Sequence, residues 1–150
     1  MPKAYTAFLD ANVWFSAACS QTGASFLIMQ LATAGLITIF VNQHVLNEAE
    51  RNLLLKSPKN IGSYYRILSE VKPVVEDNPI SPALNSVLTK LVPLSDVPVL
   101  AGALTSRVAY LVSLDRHHIV NETLVNLDWP FKVVLPGTFL ETIRGQFGNL

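Results

Sequence analysis

The chain has 150 residues, half of them hydrophobic and 15% charged. Lysine plus arginine equals aspartate plus glutamate, 11 each, which excludes a global basic field drawing in nucleic acid but leaves room for a local patch. The length predicts one domain over residues 1–150, and the single cysteine, Cys19, excludes an intrachain disulfide and fits a reducing cytoplasm.

Residues 4–9, apolar with Tyr, Thr and Phe, predict a strand ending at Asp10-Ala11-Asn12. A helix is expected to begin over residues 13–18. Ser16-Ala17-Ala18-Cys19 resembles a lipoprotein cleavage site, but Asp10 interrupts the apolar core that export requires. Residues 24–34 are apolar nearly all round and predict a buried helix with Gly35 as its C-terminal cap. Residues 36–41 predict a buried strand. Residues 11–47 hold no Asp, Glu, Lys or Arg, yet Gln30, Thr33, Gly35 and Thr38 break the run of about 20 apolar residues that a membrane span needs.

Residues 42–56 predict an amphipathic helix with Val45, Ala49 and Leu53 as its apolar stripe. Ser57-Pro58-Lys59-Asn60 ends it. A helix over 61–71, a brief strand at Val74-Val75, a turn at Asp77-Asn78-Pro79 and a helix from Ser81-Pro82 to about residue 91 follow. Asp96 and Pro98 open another helix. The apolar run 109–114 predicts a strand buried on both faces, with Asp115 directly at its carboxyl end. After an irregular segment, residues 131–135 predict the last strand and 139–147 a terminal helix. Strands alternating with helices predict an α/β fold, a parallel sheet covered on both faces.

Asp10 and Asp115 each end a predicted buried strand, and ligands of open α/β sheets bind outside those ends. Asp96 opens the helix between them. Glu48 lies about 60° from Val45 around its helix, flanking the apolar stripe. Asn12 can reach the same crevice. Singly, each acid has an ordinary explanation: Asp96 or Asp115 as a cap or turn residue, Glu48 as a solvated helix residue. Jointly, four carboxylates in one pocket repel one another, and a divalent cation removes that conflict. Mg²⁺ and Mn²⁺ prefer oxygen ligands of this kind.

Phe8-Leu9-Asp10-Ala11-Asn12-Val13, Asn47-Glu48-Ala49-Glu50, Ser95-Asp96-Val97-Pro98-Val99-Leu100-Ala101 and Tyr110-Leu111-Val112-Ser113-Leu114-Asp115 occur in that order. With the closing Val134-Leu135-Pro136-Gly137-Thr138-Phe139-Leu140, they resemble the PIN-domain nucleases over nearly the whole chain. The likeness is greatest to the toxin branch of bacterial toxin–antitoxin pairs, the VapC-like proteins. It implies a three-layer α/β/α fold with a short, mainly parallel sheet, and Mg²⁺- or Mn²⁺-dependent cleavage of RNA. By position, Asp10, Glu48, Asp96 and Asp115 match the family's catalytic, metal-holding acids. Asn12 matches a polar companion, and Ser113 stands where Ser or Thr is usual. Many members carry a further acid two or three residues after the last Asp, where this chain has Arg116-His117-His118.

The implied chemistry is metal-assisted phosphodiester hydrolysis, with Asp10, Asp96 and Asp115 holding the ion and Glu48 holding a second ion or orienting the attacking water. Cys19 reads as a core residue, His44 as structural or exposed and His117 as an exposed turn residue; His118 is open to a phosphate or metal role. Arg116 and Arg51 are candidates for substrate contact. Arg51, Lys56, Lys59 and Arg66 form the densest basic patch, which either tracks an RNA backbone or is a solvated face. The apolar composition predicts a homodimer, and the resemblance implies a cognate antitoxin. Asn at position 12 argues against a dehalogenase-type phosphatase, and the absence of an Asp near position 50 against a response-regulator receiver. The remaining alternative is a non-catalytic domain of the same fold that binds RNA or a protein.

Overall fold

The computed structural model describes residues 5–147. Five short strands form the sheet: β1 (Thr6–Leu9), β2 (Thr38–Val41), β3 (Val74–Val75), β4 (Tyr110–Val112) and β5 (Lys132–Val134). Their order is β3-β2-β1-β4-β5, and every pairing is parallel. The chain winds outward from β1 through β2 to β3, then returns to β1's other side for β4 and β5. The order therefore reverses between β1 and β4, where open α/β sheets bind ligands beyond the strands' carboxyl ends. Leu9 pairs with Val112 and Val112 with Val134, so these three ends are level.

Eight α-helices flank the sheet among the described residues: α1 (Ala11–Cys19), α2 (Ala24–Thr33), α3 (Gln43–Lys56), α4 (Ile61–Val71), α5 (Pro82–Leu88), α6 (Val97–Ser106), α7 (Glu122–Val125) and α8 (Pro136–Phe147). Helix α1 packs on α2, α3 and α4, and α2 also packs on α8. Helix α5 packs on α6, and the whole makes three layers, α/β/α. Ala7, Phe8 and Leu9 of β1 and Leu111 and Val112 of β4 have no exposed surface, as expected for strands covered on both faces. No helix among the described residues is long and apolar enough to cross a membrane.

The α3 stripe is buried at Val45, Ala49 and Leu53 as expected, and Gly35 ends α2 with φ +80°, a conformation glycine adopts freely. Other expectations are corrected. Residue 4, expected to open the first strand, lies outside the described residues. Helix α1 starts two residues early, at Ala11, because Asp10 caps it. Helix α2 is buried on one face only, through Ser25, Ile28, Met29 and Ala32, while Leu27 is 45% exposed. Strand β2 opens at Thr38, and Leu36 is exposed. Strand β4 stops at Val112, because the Leu114 and Asp115 amides turn to side-chain acceptors instead of a neighbouring strand. Asp115 thus stands beyond Ser113 and Leu114 rather than directly at the strand's end. Helix α5 ends at Leu88, where the backbone tightens to bonds three residues back. The segment expected to be irregular contains α7, capped by Asn121. Helix α8 begins at Pro136, whose missing N–H costs nothing in a first turn. Cys19, at the end of α1, is exposed, not core.

One close approach locks α6 to the sheet. Gly102 lies over the ring of Phe8 and the side-chain amide of Asn42. Asn42 caps α3 by accepting from the Val45 N–H (3.0 Å) and donates to the Pro98 carbonyl of α6 (2.9 Å). A Cβ at position 102 would meet Asn42 Nδ2 at 2.7 Å and overlap the Phe8 ring. Gly102→Ala is therefore expected to cost about 1–3 kcal/mol through overpacking, read as a lower urea midpoint. An unchanged midpoint would show that α6 has room to move away.

Candidate functional site

At the end of β1, Asp10 turns the chain into α1. Its Oδ1 accepts the Ala11 N–H at 2.7 Å, and only 5% of the residue is exposed. Its Oδ2 accepts the hydroxyl of Ser113, also at 2.7 Å. Ser113 is fully buried beyond β4, and the same Oγ accepts the Asp115 N–H at 3.0 Å. Asn12 completes the junction: its Oδ1 accepts the Leu114 N–H at 3.0 Å, and its Nδ2 reaches Ser113 Oγ and Asp10 Oδ2 at 3.3 and 3.4 Å. The loops after β1 and β4 are thus tied through one hydroxyl and one amide.

Asp115 folds its own loop. Its Oδ1 accepts the N–H groups of His117 and His118 at 3.0 and 2.9 Å, as Asp side chains commonly do in turns. That places His118 Nδ1 at 3.4 Å from Asp115 Oδ2 and 3.5 Å from Asp96 Oδ2. Asp96 precedes α6, yet its side chain caps no amide and faces the other acid instead. One ligand atom each from Asp96, Asp115 and His118 lies within 4.8 Å of the others, a set that could hold a metal ion. His117 is exposed and packs its ring against His118, centroids 4.4 Å apart.

Glu48, half-buried on α3, stands outside this tight trio. Its Oε2 lies 3.4 Å from His44 Nε2, one turn earlier. Its charge nevertheless acts on both Asp10 and Asp96. Burial is the largest influence on Asp10 and pushes its carboxyl from 3.8 up to about 6. Bonds from Ser113 and Ala11 pull it down, while Glu48 and Asp96 push it further up. Asp96 is also raised, first by burial and then by Asp115, with His118 opposing. The donor set fits a divalent cation: crowded carboxylates with an imidazole beside them, in a field that disfavours the charge of Asp10 and Asp96.

The basic candidates divide. Arg51, Lys56, Lys59 and Arg66 are all exposed, and Arg66 lines a cleft between α2 and α4 with Phe26 and Glu70, which contains none of the four acids. Arg116 is exposed and lines a different cleft, against the start of α8. Asn42, the tie between the Glu48 helix and the Asp96 helix, escaped notice in the sequence, although Asn before an amphipathic run is a recognisable cap signal. The 56-residue separation of Asn42 from Pro98 has no such signal.

The burial of Asp10 sets a pH dependence. The unfolded carboxyl ionises near 3.9 and the folded one near 6. Between these values the folded state keeps a proton that the unfolded state has lost, so stability falls as pH rises and levels off above the folded value. The interval corresponds to about 3 kcal/mol. Urea unfolding in EDTA across about pH 4 to 7 should show Asp10→Asn losing less stability than wild type over this range. Parallel curves would mean that Asp10 titrates normally.

Comparison with known proteins identifies the family. A family model described as PIN domain matches residues 6–117, from β1 to the loop after Asp115. Among solved structures, one described as VapBC2 from Rickettsia felis, bound to a DNA fragment from their promoter, aligns with a TM-score of 0.60. It is 13% identical, and the alignment covers 87% of this chain and 98% of the other. At that identity the likeness concerns the fold. No curated protein matches. By the extent of the family match, which takes in the acids at positions 10, 48, 96 and 115, the chain belongs to the PIN-domain family.

Proposed function

We propose that the protein is a metal-dependent endoribonuclease, the toxin of a toxin–antitoxin pair, acting with Mg²⁺ or Mn²⁺. The observation that carries this reading is the convergence of Asp96, Asp115 and His118 within 4.8 Å, joined to buried Asp10 by the Ser113 hydroxyl. Asp96, Asp115 and Asp10 would hold the ion, with His118 Nδ1 as a nitrogen donor. When bound, the ion would lower the pKa of a water and offset the charge building on phosphorus. Glu48, outside the trio, would orient the attacking water and accept its proton at the carboxylate, or would hold a second ion. Ser113 and Asn12 keep Asp10 oriented, and neither needs to act as a nucleophile. Arg51, one turn beyond Glu48 and exposed, is available to an RNA backbone.

The structural likeness to a VapBC2 complex supports a protein partner of the antitoxin kind. Exposed apolar side chains such as Leu54 and Leu55 on α3, 51% and 74% exposed, support a homodimer, for which light scattering at micromolar concentration is the test. One observation favours a non-catalytic reading. The His118 Nδ1 lies 3.5 Å from Asp96 and 3.4 Å from Asp115, where the ion would sit.

Thermal melting separates the two. With Mn²⁺ at about 100 times its Kd, wild type should gain about 2.7 kcal/mol, and Asp10→Asn should gain clearly less and cleave no RNA. Equal shifts with cleavage retained in the mutant would sink the catalytic assignment. No Mn²⁺ shift and no cleavage in wild type would favour the non-catalytic domain.

A further inference from the structure

Asp115 turns toward the acids, but its neighbours Leu114 and Arg116 line a cleft of about 360 Å³ on the other side of the loop. Two helices begin in this cleft. Helix α2 contributes Ala24 and Ser25 from its first turn, and α8 contributes Pro136, Gly137 and Thr138 from its own. The first amides of a helix have no partner within it. Gly23, the residue before α2, has no side chain with which to cap them. Two positive helix ends therefore share one concavity, and each alone favours an anion.

The second observation is Ser25. It is 3% exposed and lines the cleft, yet no hydrogen bond joins its hydroxyl to any described residue. The residue is nearly all buried but its hydroxyl is not sealed from solvent, so it is open to a partner arriving in the cleft. Arg116 adds an exposed guanidinium with no ion pair among the described residues, suited to a planar two-point grip on phosphate. One carboxylate, the exposed Glu141, lines the same cleft and opposes these donors.

We propose that this cleft binds a backbone phosphate of the RNA strand, next to the phosphate at the acid cluster. The proposal rests on the nuclease reading for the identity of the strand, whereas the preference for phosphate rests on the cleft alone. Asp115 and Arg116 are consecutive, with Cα atoms about 3.8 Å apart, so one short loop presents a metal-holding carboxylate to one side and a cation to the other. A strand crossing Leu114 meets both, and the cleft fixes which linkage lies over the acids.

The test is fluorescence anisotropy in EDTA, where cleavage cannot intervene, with a labelled single-stranded oligoribonucleotide lacking a 5′-phosphate. Arg116→Gln should raise Kd about tenfold, as for one charge-assisted contact, and reduce the slope of log affinity against log salt by about 0.7. Glu141→Gln should tighten binding, and inorganic phosphate should compete with the oligonucleotide on wild type more than on Arg116→Gln. Ser25→Ala should weaken binding in the same direction as Arg116→Gln, while an unchanged melting temperature for Arg116→Gln shows that its loss is not unfolding. Unchanged Kd and salt slope in Arg116→Gln, or binding only of the 5′-phosphorylated oligonucleotide, would overturn the proposal. Cleft-dependent binding by a wild type that cleaves nothing would leave this inference standing and remove the nuclease reading. Cleavage with no effect of any cleft substitution would do the reverse.

Discussion

A carboxylate buried at the end of the central strand is the constraint on which this structure depends. Asp10 is held where water cannot solvate it, close enough to feel the charges of Glu48 and Asp96. The fold tolerates it because donors are supplied locally, by the amide that begins α1 and by the hydroxyl of Ser113. Neither removes the repulsion among the acids, and the carboxyl is held far above its ordinary value. The sheet order makes this arrangement possible, since β1 must lie beside β4 for Ser113 to reach Asp10. Stability is given up at the site and recovered in the strands beneath it, which are fully buried.

Much of this was legible in the sequence because it is written in local periodicity. The stripe of Val45, Ala49 and Leu53 specifies α3 and its buried face together, and apolar runs ending in Asp mark β1 and the neighbourhood of β4. The positions of the acids along the chain, with the family resemblance, pointed to Asp10, Glu48, Asp96 and Asp115; the structure gathers Asp96 and Asp115 with His118, ties Asp10 to the same junction through Ser113, and leaves Glu48 outside the trio. What was not legible depends on contacts between distant segments. The length of β4 is set by Asn12 and Ser113 capturing amides, which no apolar run reveals. Cys19 looked like a core residue because its neighbours are small or apolar, but it falls on the outer face at the end of α1. Helix α7 was missed although Asn121-Glu122 carries an ordinary cap signal, because four residues are too few to show a period.

His118 illustrates how a departure from a family pattern acquires meaning only in three dimensions. In sequence it stands where an acid is common. In space its ring nitrogen lies between two carboxylates, and the Asp115 side chain binds the backbone amide of the same residue. A histidine there changes the sign of charge that the position can carry.

The Asp10–Ser113 bond spans 103 positions of the chain, and that separation bears on biosynthesis. At about 5–20 residues per second, Ser113 is made roughly 5–20 s after Asp10. Throughout that interval β1 lacks one of its two neighbours; Asp96 is made only near its end and Asp115 just after it. A nascent chain can assemble α1 to α4 and still lack the acid cluster. The separation therefore delays assembly of the acid cluster until translation has passed β4.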